Sequence, residues 1–207
     1  MGEILIYLAV EDDLSESVLR RILRERTVHY VVGPVYKRGG FGYLKKQCGA
    51  FNNASRACPI LLLTDLDSAE CAPGLIKDWL THPRHPNFLF RVAVREVEAW
   101  LLACDLQFAS FLGLRKKLDF PNPESLSDPK AALLNLGEAS PKRNIREAIA
   151  RRDKGGTLRQ GPAYNSTLAE FVDKDWDLNT AAQKCLSLHK LLAALSELEK
   201  RKDKTNR

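Results

Sequence analysis

The sequence predicts an α/β protein: a small Rossmann-like parallel sheet of about four strands with helices on both faces, followed by a helical C-terminal region. Two patterns support this prediction. Through the first half of the chain, short β-rich segments alternate with segments of helical periodicity, which is typical of βαβ units. After residue 112 a Pro-, Ser- and Asp-rich stretch intervenes, and beyond it the apolar residues recur only at helical spacing.

The strands and helices of the first half can be assigned one after another. Strands are predicted at residues 4–10, 30–36, 60–63 and 88–94, and helices at 13–26, 43–57, 72–81 and 96–112. The segment 60–63 is apolar at every position, as expected for a strand buried on both faces. Asp13 or Ser15 can cap the first helix. The fourth helix carries Val97, Trp100 and Leu101 on one apolar stripe.

The second half is predicted to be helical. Helices are expected at residues 131–136, 145–151, 168–172 and 181–198, with a Gly-rich, basic loop at 153–165. We therefore predict an α/β domain over residues 1–112, a helical region over 113–199 packed on it, and a charged tail over 200–207.

Composition limits the class of protein. The chain has 207 residues, of which 44% are hydrophobic and 28% charged, values typical of a globular protein and not of a disordered one. The apolar run at residues 4–10 is far shorter than the ~20 residues of a membrane span. The five cysteines have irregular spacing and form no C-x-x-C pair, which favours reduced thiols. We expect a cytoplasmic protein that does not cross a membrane.

Basic residues are concentrated in two segments. Seven lie between residues 142 and 159, against two acidic residues, although the whole chain has a net charge of only +6. The second segment, residues 36–46, contains three glycines and three aromatic residues, so it is either a mobile substrate loop or a plain strand-to-helix turn. Such charge favours nucleic acid, DNA or RNA, although ordinary solvated surface has the same composition. The candidate nucleic-acid-binding residues are Lys37, Arg38, Lys45, Arg95, Arg151 and Arg152.

Acidic residues follow three of the predicted strands. Glu11 comes after the first strand, Asp65 and Asp67 after the third, and Glu98 after the fourth. Ligands of open parallel sheets bind at the carboxyl ends of the strands, which lie about 4.8 Å apart, so these carboxylates could share one ion. Carboxylates without His or Cys favour Mg²⁺ or Mn²⁺. The predicted metal ligands are Glu11, Glu16, Asp65, Asp67 and Glu98, although Glu16 and Glu98 would also suit helix N-termini without any metal.

The acidic segments resemble a known arrangement. The strings VEDDLSE, LLLTDLD and VREVEAWLLA resemble the TOPRIM pattern, an acidic residue followed by D-x-D on a small Rossmann-like sheet. With GGFGYLKK, SDPK and GPAYNSTLAEFV, they are similar to the uncharacterised bacterial domain-of-unknown-function family 4276. The resemblance implies a metal-dependent nuclease of the kind found beside ATPase genes in phage-defence loci, with Glu11, Asp65 and Asp67 as catalytic residues. Asp12 departs from the TOPRIM pattern, which has Gly there, and its charge would repel a phosphate.

Three classes of function fit these features to different degrees. The first is hydrolysis of phosphodiester bonds with Mg²⁺ or Mn²⁺. The second is a non-catalytic subunit that uses the same fold to bind nucleic acid or an ABC-type or AAA-type ATPase. The third is a receiver-like signalling domain phosphorylated on Asp65. Such a domain requires Ser or Thr after the fourth strand, where Arg95 and Glu96 stand, and a Lys after a fifth strand.

Overall fold

The computed structural model describes residues 3–205, which form two compact units. The first unit comprises residues 3–94 and 187–205, and the second comprises residues 95–186. The chain thus changes unit at residue 94, whereas the sequence predicts a boundary near residue 112. The helix after the fourth strand belongs to the second unit because it is buried there, and the carbonyl of Trp100 accepts a hydrogen bond from the indole of Trp176 at 3.0 Å.

Four parallel strands form the sheet of the first unit: β1 (Ile4–Ala9), β2 (Tyr30–Tyr36), β3 (Ile60–Asp65) and β4 (Phe88–Ala93). Their order is β2-β1-β3-β4, which confirms the predicted α/β fold class. From β1 the chain moves to β2 on one side, and it then crosses to β3 and β4 on the other side. The direction of the connections reverses between β1 and β3, so the carboxyl ends of these two strands flank a topological switch point.

Helices cover both faces of this sheet. The connecting helices are α1 (Asp13–Arg24), α2 (Gly40–Ala54) and α3 (Ala72–Trp79). Since parallel crossovers are right-handed, α1 lies on one face and α2 and α3 lie on the opposite face. The face with α2 and α3 has an apolar core that includes Phe51, Leu62 and Phe90. Residues 60–63 of β3 are buried, as the apolar run predicts, because β3 has a strand on each side and helices on both faces.

Asp12 caps α1. Its carboxylate accepts a hydrogen bond from the backbone N–H of Ser15 at 2.8 Å. The sequence predicts Asp13 or Ser15 as the cap, but both residues lie inside the first turn, where the negative charge of Asp13 favours the helix dipole. The acidic residue that departs from the TOPRIM pattern therefore has a structural role at the start of this helix.

The second unit is mostly helical, as predicted, and also contains a short β-hairpin. Its helices are α4 (Val97–Leu102), α5 (Asp105–Leu112), α6 (Pro129–Glu138), α7 (Arg143–Ile149), α8 (Tyr164–Lys174) and α9 (Leu178–Lys184), with a 3₁₀ turn at Pro123–Ser125. Strands β5 (Ala150–Arg152) and β6 (Leu158–Gln160) pair antiparallel. The predicted helix at 145–151 corresponds to α7, but the prediction is wrong at residues 150 and 151, which belong to β5, and at residues 158–160 of the predicted loop, which form β6. Strands of three mostly polar residues have no apolar alternation from which they could be predicted.

The second unit is an insertion in the first. The chain leaves the first unit after β4 and returns to it at the start of α10 (Leu186–Thr205). These two points adjoin, because the backbone N–H of Val94 donates a hydrogen bond to the hydroxyl of Ser187 at 3.3 Å. Residues 95–186 therefore form a long insertion between the last strand and the last helix of the first unit.

Helix α10 extends beyond the predicted helix end at residue 198 and includes most of the predicted charged tail. Glu199 accounts for the difference, because its carboxylate pairs with Arg26 at 2.7 Å and accepts a hydrogen bond from the Tyr30 hydroxyl at 3.0 Å. Residues 206 and 207 of the predicted tail lie outside the described residues. Within residues 3–205, no helix is long and apolar enough to cross a membrane.

Replacing Glu199 with Ala should lower the free energy of unfolding by about 2 kcal/mol, because Arg26 and Tyr30 would lose a charged partner in a half-buried setting. Urea unfolding followed by circular dichroism measures the change. Glu197→Ala is the matched control, since Glu197 is exposed on the same helix and pairs with an exposed Lys200. The control should leave the free energy of unfolding nearly unchanged, because solvent screens an exposed ion pair. Equal losses in the two variants would contradict the anchoring role of Glu199.

Candidate functional site

Glu11 lies at the switch point of the sheet. The pairing of Ala9 with Leu62 places Glu11, two residues past β1, opposite Thr64 near the end of β3. The Thr64 hydroxyl donates a hydrogen bond to Glu11 Oε1, and the backbone N–H of Asp65 donates to the same atom at 3.1 Å. The Glu11 carboxylate is therefore fixed between the carboxyl ends of two neighbouring strands.

Asp67 stands beside Glu11 in an unusual backbone conformation. Its φ is +48°, and it is the one non-glycine residue in the described part of the chain with a positive φ. Asp and Asn tolerate this left-handed region better than most residues, although at some cost in energy. Strained backbone is frequent at ligand-binding sites, where the surrounding structure holds it in place. The D-x-D pair predicted from the sequence thus ends in a turn that places the Asp67 charge within electrostatic reach of Glu11.

Burial raises the pKa of Glu11 above its usual value. The hydrogen bonds from Thr64 and from the Asp65 N–H oppose this shift, and the negative charges of Asp67 and Asp12 add to it. A half-buried carboxylate beside like charges is in the electrostatic setting that a cation would relieve. Its donor atoms are all oxygens, which suit Mg²⁺ or Mn²⁺. Among residues 3–205, however, no group of three or more His, Cys, Asp or Glu side chains has the arrangement of a metal site.

Glu16, also predicted as a metal ligand, is bound by cationic side chains. Its two carboxylate oxygens lie 2.7 Å from Lys37 Nζ and 2.7 Å from Arg20 Nε. Lys37 also pairs with Asp13. Burial acts to raise the pKa of Glu16, but the hydrogen bonds from Lys37 and Arg20 outweigh it and lower the pKa below its usual value. Glu16 is therefore already compensated within the first unit.

The predicted nucleic-acid-binding residues divide into paired and unpaired cations. Lys37 pairs with two acids, Lys45 pairs with Asp78 at 2.6 Å, and Arg152 pairs with Glu138 at 2.7 Å. Arg95 is partly buried and has an interaction partner. The other two predicted residues, Arg38 and Arg151, are exposed, and neither has a hydrogen bond or ion pair with another described residue.

The Gly-rich segment at residues 36–46 forms a turn from β2 into α2. Gly39 and Gly40 have φ of +83° and +57°, a region that favours glycine, and α2 begins at Gly40. The aromatic residues of the segment contact other rings of the first unit: Tyr36 and Tyr43 lie against Phe51, and the partly exposed ring of Phe41 lies edge-on to Trp79 at 4.8 Å. The structure thus corresponds to the strand-to-helix alternative, with aromatic rings engaged in packing.

The second unit contains a buried polar cluster, of which the sequence predicts only Glu98 as a functional residue. Glu98, predicted as a metal ligand, is 2% exposed and accepts a hydrogen bond from the Tyr164 hydroxyl at 2.8 Å. Lys130 Nζ lies 3.5 Å from Glu98 and 3.3 Å from Glu96. Burial raises the pKa of Glu98 above its usual value. Lys130 and Tyr164 were not singled out from the sequence, although each lies in a string that carries the family resemblance, SDPK and GPAYN.

The topology and the acidic residues at the switch point define a Rossmann-like α/β protein. The chain belongs to the family described as Domain of unknown function (DUF4276), whose model matches residues 11–196. This match confirms the family resemblance. It includes Glu11, the D-x-D pair, residues 11–94 and 187–196 of the first unit, and the whole of the second unit. Comparisons with curated proteins and with solved structures give no significant match.

Thr64→Val should raise the pKa of Glu11 further, because the lost hydroxyl stabilises the ionised carboxylate. Burial of Glu11 lowers the stability of the folded protein only when the carboxylate is ionised. This loss of stability is absent well below pH 4.5, the usual pKa of the group, and is complete above the raised pKa of the folded state. The variant should therefore lose stability, by about 1 kcal/mol, only as pH rises through that range. Carboxyl carbon NMR titration measures the pKa. Thr64→Ser, which keeps the hydroxyl, should titrate as the parent protein does, and an unchanged pKa in the Val variant would rule out the contact.

Proposed function

We propose that the protein is a TOPRIM-like, metal-dependent nuclease that hydrolyses phosphodiester bonds at the switch point of the first unit. Glu11, Asp65 and Asp67 are the residues that would hold Mg²⁺ or Mn²⁺. The observation that carries the proposal is the Glu11 carboxylate, fixed by Thr64 and the Asp65 N–H beside the strained Asp67. The five cysteines of the chain are free thiols, which fits the cytoplasm as its location.

Among the three proposed catalytic residues, Glu11 is the best candidate for proton transfer. When bound, a divalent cation would polarise the phosphate and acidify a water ligand. Oε1 of Glu11 accepts both hydrogen bonds described above, and no described residue donates to Oε2, so Oε2 can face a ligand. The raised pKa of Glu11 makes the carboxylate a stronger base than an exposed glutamate. This geometry supports a role for Glu11 as metal ligand or general base, with Thr64 keeping the carboxylate in place.

Substrate phosphates would be held by exposed cations near this edge of the sheet. Arg38 follows β2, whose carboxyl end adjoins that of β1, and its guanidinium has no partner within residues 3–205. The carboxylate of Asp12 is engaged by the Ser15 N–H at the N-terminus of α1. The positive end of this helix dipole partly offsets the repulsion that Asp12 would otherwise exert on a phosphate.

A non-catalytic binding subunit is the second candidate. It would use the same sheet edge to bind nucleic acid or an ABC-type or AAA-type ATPase. The observation in its favour is the pairing of Glu16 with Lys37 and Arg20, which compensates an acid that a larger metal centre would use. The receiver-like alternative lacks the fifth strand that would position its Lys, because β4 is the last strand of the sheet in the described chain.

Mn²⁺ at ten times its dissociation constant should raise the melting temperature by roughly 3 to 6 °C, because binding to the folded state alone is worth about 1.4 kcal/mol. Asp65→Asn and Asp67→Asn should each abolish the shift, and Asn preserves the tolerance for left-handed backbone at position 67. Asp78→Asn is the matched control, because Asp78 is an exposed carboxylate paired with Lys45 in the same unit. The shift should weaken as pH falls through the raised pKa of Glu11, since protons compete with the metal. No calorimetric binding at millimolar Mn²⁺ would contradict the proposed site.

A cleavage assay separates the two candidate functions. Plasmid DNA, single-stranded DNA and RNA are incubated with the full chain and Mg²⁺ or Mn²⁺. The nuclease proposal predicts cleavage that Asp65→Asn reduces at least ~100-fold and that Asp78→Asn leaves unchanged. Retention of binding without cleavage in every metal would favour the non-catalytic subunit.

A further inference from the structure

The second unit contains a pocket of about 710 Å³ that no part of the proposed function uses. It lies between the start of α6 and the β5–β6 hairpin, and Glu96 forms part of its wall. Small-molecule sites in proteins have volumes of about 300 to 1,000 Å³. Its lining residues, all in the second unit, include three cations, three carboxylates and the apolar side chains of Ala131, Leu134 and Leu158.

The carboxylates of the pocket are satisfied by the protein itself. Glu96 accepts a hydrogen bond from the backbone N–H of Lys130 at 2.9 Å, and Asp128 accepts one from Ala131 at 2.7 Å. Asp153 accepts hydrogen bonds from two backbone N–H groups of its own turn and from Arg159 at 3.1 Å. Each of the three acids therefore has a hydrogen-bond partner in the protein, and Glu96 and Asp153 are also paired with the cations Lys130 and Arg159.

Among the three cations of the lining, Arg151 on the hairpin has no carboxylate partner in the described chain. Arg151 and Arg159 are directly opposite each other in the register of β5 and β6, so their side chains share one face of the hairpin. Like charges at such a pair repel. Asp153 pairs with Arg159, whereas Arg151 has no hydrogen bond or ion pair with any residue in the described chain. An anion between the two guanidinium groups would relieve the repulsion and supply the missing partner.

The hairpin is held firmly enough to present these side chains. Gly161, just past β6, packs so closely that a Cβ there would lie 2.3 Å from the carbonyl oxygen of Ala148. Arg152, the neighbour of Arg151, bonds instead to Glu138 of α6 and to the carbonyl of Gly156, both at 2.7 Å. Arg152 therefore fixes the hairpin to the unit, whereas Arg151 remains available to a ligand.

We infer that this pocket binds the phosphate monoester of a nucleotide-sized ligand through Arg151 and Arg159. A phosphate monoester carries −1.5 to −2 charges at neutral pH and three acceptor oxygens, which match two guanidinium forks better than a single carboxylate does. The pocket is larger than a phosphate, and Ala131, Leu134 and Leu158 form an apolar surface for the body of the ligand. The phosphate comes either from a free nucleotide or from the 5′ end of a nucleic-acid strand.

Calorimetry on the full chain in EDTA tests the inference independently of the proposed metal site. A nucleoside 5′-monophosphate should bind at least ~10-fold more tightly than its nucleoside, and Arg151→Ala should weaken it at least ~10-fold. Lys154→Ala is the matched control, since Lys154 is an exposed cation in the same hairpin turn and does not line the pocket. It should change the affinity less than twofold. Asp65→Asn, in the other unit, should leave nucleotide binding unchanged, whether or not it affects metal binding.

Two further measurements make the outcome decisive. Arg151→Lys keeps the charge without the planar fork and should bind with an intermediate affinity. Oligonucleotides with a 5′-phosphate or a 5′-hydroxyl distinguish the sources: a phosphate preference seen only with oligonucleotides assigns the pocket to strand ends, and one seen with the mononucleotide assigns it to a free nucleotide. Absence of any phosphate preference, or equal losses in Arg151→Ala and Lys154→Ala, would overturn the inference.

Discussion

The parallel pairing of β1 with β3 is the constraint on which the candidate site depends. These strands are the two central members of the sheet, and β3 is buried along its whole apolar run. Their register, from Tyr7 with Ile60 to Ala9 with Leu62, decides which residue follows each strand at the switch point. A slip of one residue would turn Thr64 away from Glu11 and bury polar groups in the core. Apolar burial therefore fixes the position of a polar contact.

The acidic residues near the carboxyl end of β1 differ in whether their negative charge is compensated. Asp12, Asp13 and Glu16 are compensated by a helix N-terminus or by cations, as is common for surface acids. Glu11 receives hydrogen bonds that favour its ionised form, yet burial prevails and its pKa remains raised. Folding therefore leaves one carboxylate with an unrelieved electrostatic cost at the place where open parallel sheets bind ligands. This contrast separates a candidate site from the acidic surface around it.

The features that a short segment determines can be predicted from the sequence. The apolar run at 60–63 predicts the buried strand, and the acids after it predict the edge of the sheet where the candidate site is proposed. Contacts between residues far apart in the chain cannot be predicted in this way: Tyr164 contacts Glu98 across 66 positions, and Arg26 contacts Glu199 across 173. The β5–β6 hairpin was unpredictable for another reason, because its stability comes from its turn and its anchoring by Arg152, and its strands have no apolar pattern.

The hydrogen bond between Val94 and Ser187 has a consequence for how the chain tolerates change. Because Val94 and Ser187, the residues of the first unit that flank the insertion, are hydrogen-bonded to each other, the 92 inserted residues form one closed loop in the chain of the first unit. The entropy lost on closing a loop grows only with the logarithm of its length, so lengthening or shortening the insertion changes that loss very little. Evolution could therefore remodel residues 95–186, pocket included, with little effect on the sheet from which they emerge.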